Sequence, residues 1–176
     1  MKKVFLSVMI VLLAFTGFSQ KYAYINSEYI LSNMPEYKEA QAELDRVAVQ
    51  WQREIEAKFA SIDSMYRKYQ VEAITMPDQI KKNREEAIIA QERAAKELQK
   101  KRFGQDGDLF KKREELVKPI QDRVISTVND YAKERGFAFV FDTAGEMSII
   151  YADPKWDINA VILQKLGISV DTELDD

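Results

Sequence analysis

The chain has 176 residues, of which 31% are charged and only six are glycine, and its 26 basic and 29 acidic side chains give a formal net charge of −3. It contains neither cysteine nor histidine, which removes thiol nucleophiles, serine-histidine triads, imidazole bases and ordinary zinc sites. The acidic balance argues against nucleic acid as a partner, and without cysteine the chain cannot form mixed disulfides with other exported proteins.

Residues 1–19 read as a secretory signal peptide. Lys2 and Lys3 supply the positive start, residues 4–15 an apolar run too short for the ~20 residues that span a bilayer, and Gly17 and Ser19 the small residues of a cleavage site near 19/20. A lipid anchor on cysteine is excluded. Cleavage leaves 24 basic against 29 acidic residues, a net charge of −5.

Residues 22–26 read as a short strand, and Ser27 as the N-cap of a brief helical turn that Pro35 ends. Residues 36–74 lack glycine and proline, while Leu44, Ala48, Trp51, Ile55, Phe59, Ile62, Tyr66, Tyr69 and Ala73 recur every three or four positions, the pattern of a long amphipathic helix. About forty residues at ~1.5 Å each give an arm on the order of 60 Å. Thr75 to Asp78 has the spacing of a capping-box variant around Pro77, so the chain is expected to reverse there. The return is expected to present Ile80, Ala87, Ala94 and Leu98, then Leu109, Leu116, Ile120, Val124, Val128 and Tyr131, with Gly104 and Gly107 as a hinge or a simple loop in the returning arm.

After Gly136, expected to cap that helix, residues 137–142 and 147–151 read as two strands of a hairpin turning at Ala144 and Gly145. Asp157 is expected to cap a last short helix that Gly167 terminates, and residues 171–176 read as a disordered acidic tail. The expected fold is α+β and predominantly helical. A helical hairpin arm, residues 36–118 with its tip near 75–78, projects from a discontinuous body of residues 20–35 and 119–170. Ile25, Phe139, Phe141, Ile149 and Ile150 are the expected body residues; Phe139 and Phe141 are read as alternating, so that one of them faces outward. About 75 residues make a small body, and association would cover its faces and edges.

Four stretches resemble the Skp (OmpH-like) family of periplasmic chaperones: YAYINSEYILSNMPEYKEAQAEL from Tyr22, FGQDGDLFKKREELVKPIQDRV from Phe103, FAFVFD from Phe137, and IIYADPKWDINAVILQKL from Ile149. Their order around a long charged hairpin carries the resemblance. It implies a soluble periplasmic protein of a Gram-negative bacterium and a homotrimer joined through a central β-barrel. Its arms would hold unfolded outer-membrane β-barrel proteins without ATP until the insertion machinery receives them. No enzymatic activity, cofactor or metal is expected. The alternative is a structural or adaptor coiled-coil hairpin of the cell envelope.

Met65, Tyr66, Tyr69, Ile74 and Met76 near the tip are the candidate client contacts, because methionine and tyrosine adapt to irregular partners. For Tyr66 and Tyr69 the helix seam is the stronger reading. Familiar members of the family are strongly basic, whereas here residues 78–118 carry a net +3 and residues 119–176 a net −6, so lipid binding is left open. Asp106 with Asp108, and Asp171, Glu173, Asp175 and Asp176, are carboxylate groups without a calcium-loop pattern; turn formation and a solubilising tail account for them.

Overall fold

The computed structural model describes residues 20–145 and 149–169. The expected signal peptide and acidic tail lie outside these residues, as does the start of the expected 147–151 strand. Packing divides the chain into two units, one formed by residues up to Asn33 and from Val124 onward, the other by Met34–Arg123.

In the first unit, β1 (Lys21–Ile25) leads into the seven-residue helix α1 (Ser27–Asn33). Asn26, not Ser27, is the cap: its carbonyl accepts from Ile30 N at 3.0 Å and its Oδ1 from Tyr29 N at 2.9 Å. Both residue types cap well, but Asn26 is also held from outside, because its own N–H donates to Asn159 Oδ1 at 2.7 Å. Tertiary anchoring thus selects between two adjacent capping residues.

The Met34–Arg123 unit opens with α2 (Pro35–Glu72), 38 residues long with Pro35 in its first turn, where a missing N–H costs nothing. Next comes α3 (Asp78–Phe103), then the first part of α4 (Asp108–Arg135). The turn at 73–77 forms without the expected capping box: Thr75 Oγ1 donates to the Glu72 carbonyl at 3.2 Å, and Pro77 occupies the cap position of α3 with no side-chain hydrogen bond. Two cores run along α2. Ile62 meets Ile88 and Ala95 of α3, flanked by Phe59, Met65 and Tyr69. Ala40 and Leu44 meet Val117 of α4, flanked by Tyr37, Leu109, Leu116 and Ile120. The cross-helix contacts Tyr69–Glu85, Glu54–Arg102 and Glu36–Arg123 descend α2 while the returning chain ascends, so α3 and α4 both run antiparallel to α2.

The stripe expected on α3 is one residue out of phase: Ala87 and Ala94 are exposed, and Ile88 and Ala95 are buried. An isoleucine removes far more apolar area from water than an alanine, so Ile88 sets the rotation of the helix.

Helix α4 continues into the first unit, where Val124, Val128 and Tyr131 are buried, and ends at Gly136, whose φ of +68° is the left-handed C-cap conformation. The chain then forms β2 (Phe137–Asp142). β2 pairs with β1, and the pairing is parallel, with a bulge between Lys21 and Tyr22. The expected hairpin with residues 147–151 is not found: among the described residues the sheet has two strands, and Ile149 to Tyr151 are irregular. The other edge of β1 is occupied instead, by a bridge from Tyr24 to Asp157 and the bond from Ile158 N to Tyr24 O at 3.1 Å. Strand period also corrects the expected alternation of Phe139 and Phe141. Two positions apart, they share a face, and their rings stack at 6.3 Å.

A 3-10 turn (Pro154–Trp156) leads to α5 (Asn159–Lys165). Ile158 rather than the expected Asp157 takes the N-cap position, its carbonyl accepting from Ile162 N at 3.0 Å, while Asp157 Oδ1 sits one residue earlier and accepts from Asn159 N at 2.7 Å. At Gly167, Ile168 N reaches Leu163 O at 2.9 Å and Gly167 N reaches Gln164 O at 3.0 Å, a Schellman ending. Ile30 and Leu31 on α1, and Ile162 and Leu163 on α5, are buried where the two short helices meet.

Asp142 ties the end of β2 to the start of α1, its Oδ1 accepting from Ser27 N and Ala144 N, each at 3.0 Å. Burial alone would raise its pKa, but hydrogen bonds from Ser27 and Ala144 outweigh it and hold the carboxyl below the ordinary aspartate value. A depressed folded pKa gives stability that is present above the unfolded value of about 4 and lost as pH falls through the folded one. Denaturation curves from pH 6 to 2 are therefore expected to converge for the wild type and Asp142→Asn at the acid end. Curves that stay parallel would contradict this role.

Candidate functional site

The hairpin of the Met34–Arg123 unit separates its apolar residues into two sets. The seam set is enclosed by α2 and α3. The second set faces solvent: Tyr66 is 48% exposed, Val71 78%, Ile74 88%, Ile80 45% and Ile89 57%. Charges surround them, with Arg67 paired to Asp63 at 2.8 Å and Arg84 to Glu72 at 3.9 Å, all four side chains well exposed.

The five sequence candidates at this end fall in different environments. Tyr66 and Ile74 are exposed and Met76 is half-buried. Met65 and Tyr69 pack beside the Ile62 core. The Tyr69 hydroxyl also donates to the Glu85 carboxylate on α3; that hydrogen bond, then desolvation, raises the tyrosine pKa.

Val71, Ile80 and Ile89 were missed as surface residues. A signal existed for two of them. Val71 follows Tyr69 by two positions, off the three-and-four spacing, and of the adjacent pair Ile88 and Ile89 only one can lie in a seam.

In the other unit, Ile25 is buried and Ile150 is 99% exposed. Phe139, 57% exposed, stacks on Tyr22 at 6.0 Å, and Phe141 lies 6.4 Å from Tyr22, so three aromatic rings line one sheet face. Beside them Ile149, Tyr24, Tyr151 and Trp156 help line an open cleft of about 360 Å³. Aromatic side chains of this kind are enriched at the centres of protein–protein interfaces.

At the break between α3 and α4, Gly104 is extended (φ −65°, ψ 171°) and Gly107 is buried, its N–H bonded to Gly104 O at 2.9 Å. A methyl group at Gly107 would lie 2.8 Å from Lys101 O and 2.9 Å from Arg102 O. Alanine here strains the turn rather than extending the helix, which reverses the stiffening that helical glycines would give. Asp108 is ion-paired to Arg102 at 2.7 Å. Among the described residues no three acidic, histidine or cysteine side chains gather to hold a metal ion, and no helix is long and apolar enough to cross a membrane. The arrangement offers scattered apolar side chains among solvated charges.

These features define a class: a predominantly helical α+β protein with a long antiparallel hairpin and a separate small sheet unit carrying an aromatic face. Residues 21–166 match the model of the "Outer membrane protein (OmpH-like)" family, and the chain belongs to that family. It is 28% identical over 166 residues to an uncharacterized protein of Aquifex aeolicus (strain VF5), covering 94% of this chain and 96% of that one. Its fold is similar to the crystal structure of a candidate outer membrane chaperone (OmpH-like) from Caulobacter crescentus CB15. That likeness has a TM-score of 0.69 at 12% identity, over 88% of this chain and 94% of the other.

Proposed function

We propose that this protein is an ATP-independent periplasmic holdase that binds unfolded outer-membrane β-barrel proteins and keeps them from aggregating before membrane insertion. The observation that carries the reading is the second apolar set: Tyr66, Val71, Ile74, Ile80 and Ile89 remain exposed although Ile62, Ile88 and Ala95 already close the hairpin. Apolar side chains spread singly among charges give each client segment a weak contact and suit none in particular, which favours promiscuous retention. Membership of the OmpH-like family supports the client class.

Three copies joined through the sheet units would multiply these weak contacts. The aromatic face of Tyr22, Phe139 and Phe141 supports that association. Bound clients would dissociate slowly because several arms must let go together. The insertion machinery would then compete for segments released one at a time.

The test is to refold a denatured outer-membrane β-barrel protein with the purified chain, following light scattering and complex mass together. Wild type should suppress aggregation and trap one client per oligomer. Serine at Val71, Ile74 and Ile80 removes contacts worth about 1 kcal/mol each when buried by a client, so retention should weaken roughly ten-fold or more. Helicity and oligomer mass should not change, because none of the three packs in the seam. Full holding by the triple variant would remove the exposed set from the client site.

A further inference from the structure

Arg102 stands at the α3 terminus and combines two ion pairs with an aromatic contact. Its Nη1 pairs with Asp108 Oδ2 at 2.7 Å, across the break, and its Nη2 lies 3.7 Å from Glu54 Oε2 on α2. Its guanidinium sits 4.5 Å from the centre of the Trp51 ring, also on α2. Phe103 meets the same indole edge-on at 6.5 Å. The Arg102 and Asp108 side chains are 25% and 24% exposed. By contrast, Arg67–Asp63 and Lys118–Asp122 are pairs within one helix whose side chains are all more than half exposed, the kind that contributes little.

We propose that Arg102 is an ionic latch: it clips the 104–107 break onto α2 at Trp51 and Glu54, and its release converts that break into a hinge. The break has no anchor of its own, since Gly104, Gln105, Asp106 and Gly107 contribute no apolar side chain. Arg102 and Phe103, the last two residues of α3, tie it to α2 through Trp51 and Glu54. Arginine suits the role because one planar group can stack on the indole while its edge reaches two carboxylates. The latch is also incompletely satisfied: Arg102 Nε is buried without a hydrogen-bond partner among the described residues. Opening would hydrate that donor and screening would weaken both ion pairs, so added salt favours the open form. A client pushing the arms apart would then meet a joint at a defined place. The latch itself does not depend on the identity of any client.

The absence of native cysteine allows spin labels at Arg93→Cys on α3 and Glu114→Cys on α4 in the full chain, with pulsed-dipolar distances read across the break. At low salt the distribution should be narrow. Arg102→Gln should at least double its width, and Arg102→Lys should broaden it nearly as much, because a lysine keeps the charge but loses the planar stack. Raising salt from 0.05 to 1 M should broaden the unmutated latch and leave Arg102→Gln unchanged. Asp108→Asn is a near-isosteric second test should the Arg102 variants lose helicity, and it should broaden the distances while circular dichroism stays the same. Unchanged widths in well-folded Arg102→Gln, or in Asp108→Asn, would overturn the latch, as would equal salt responses with and without Arg102.

Discussion

Phe139→Asp is expected to leave a folded chain that no longer self-associates. Phe139 is 57% exposed and packs with Tyr22 and Phe141 in a cluster of three rings, so within a single chain an aspartate there remains hydrated and displaces no buried group. In an assembly joined through that face the same carboxylate would be buried without a partner, at a cost of several kcal/mol. Association should weaken by at least ~100-fold, which is about 2.8 kcal/mol. Light scattering after size exclusion would read the mass directly. A wild-type mass of three chains falling to one in the variant, with an unchanged far-ultraviolet spectrum, is the expected outcome. A variant that keeps the wild-type mass would take this face out of the interface, and a wild type that is a monomer at all concentrations would remove the trimer.

Leu163→Ala is expected to act on folding rather than association. Leu163 and Ile162 on α5 are fully buried, as is Ile30 on α1, in a unit whose core comes from short elements and the end of α4. Truncating a buried leucine removes its transfer free energy and leaves a cavity, which together cost about 2–5 kcal/mol. In a small unit that is a large share of a total stability of about 5–15 kcal/mol. Urea unfolding followed at fixed chain concentration, because assembly would couple to stability, should show the midpoint fall. Ile62→Ala tests the other core in the same way, since Ile62 packs with Ile88 and Ala95. A loss below 1 kcal/mol at Leu163 would mean that α5 is not integral to the unit.

The long helices were legible in the sequence because their determinants are local. A run of 38 residues without an internal glycine or proline, with apolar residues every three or four positions, leaves few alternatives to α2. Gly136 and Gly167 marked helix ends because the left-handed conformation there, φ +68° and +82°, is open to glycine at little cost. The family was legible for a similar reason, its recognisable stretches being continuous runs that begin at Tyr22, Phe103, Phe137 and Ile149, all within the matched residues 21–166.

Where a choice was set by distant groups, only the tertiary structure decided it. Residues 147–151 have the composition of a strand, yet β2 pairs with β1, which lies more than a hundred residues earlier, and the Asp157 region takes the other edge of β1. Asn26 and Ser27 are equivalent caps until Asn159 reaches Asn26. Ile88 and Ile89 are the same residue type side by side, and the rotation of α3 against Ile62 puts one in the core and leaves the other 57% exposed. Two glycines announced the 104–107 break, but not Arg102, because an arginine among lysines at a helix end looks like any solvated cation until Trp51, Glu54 and Asp108 converge on it. Periodicity and turn chemistry act over a few residues and can be read along the chain, whereas strand partners, helix phase and buried ion pairs depend on groups that meet only when it folds.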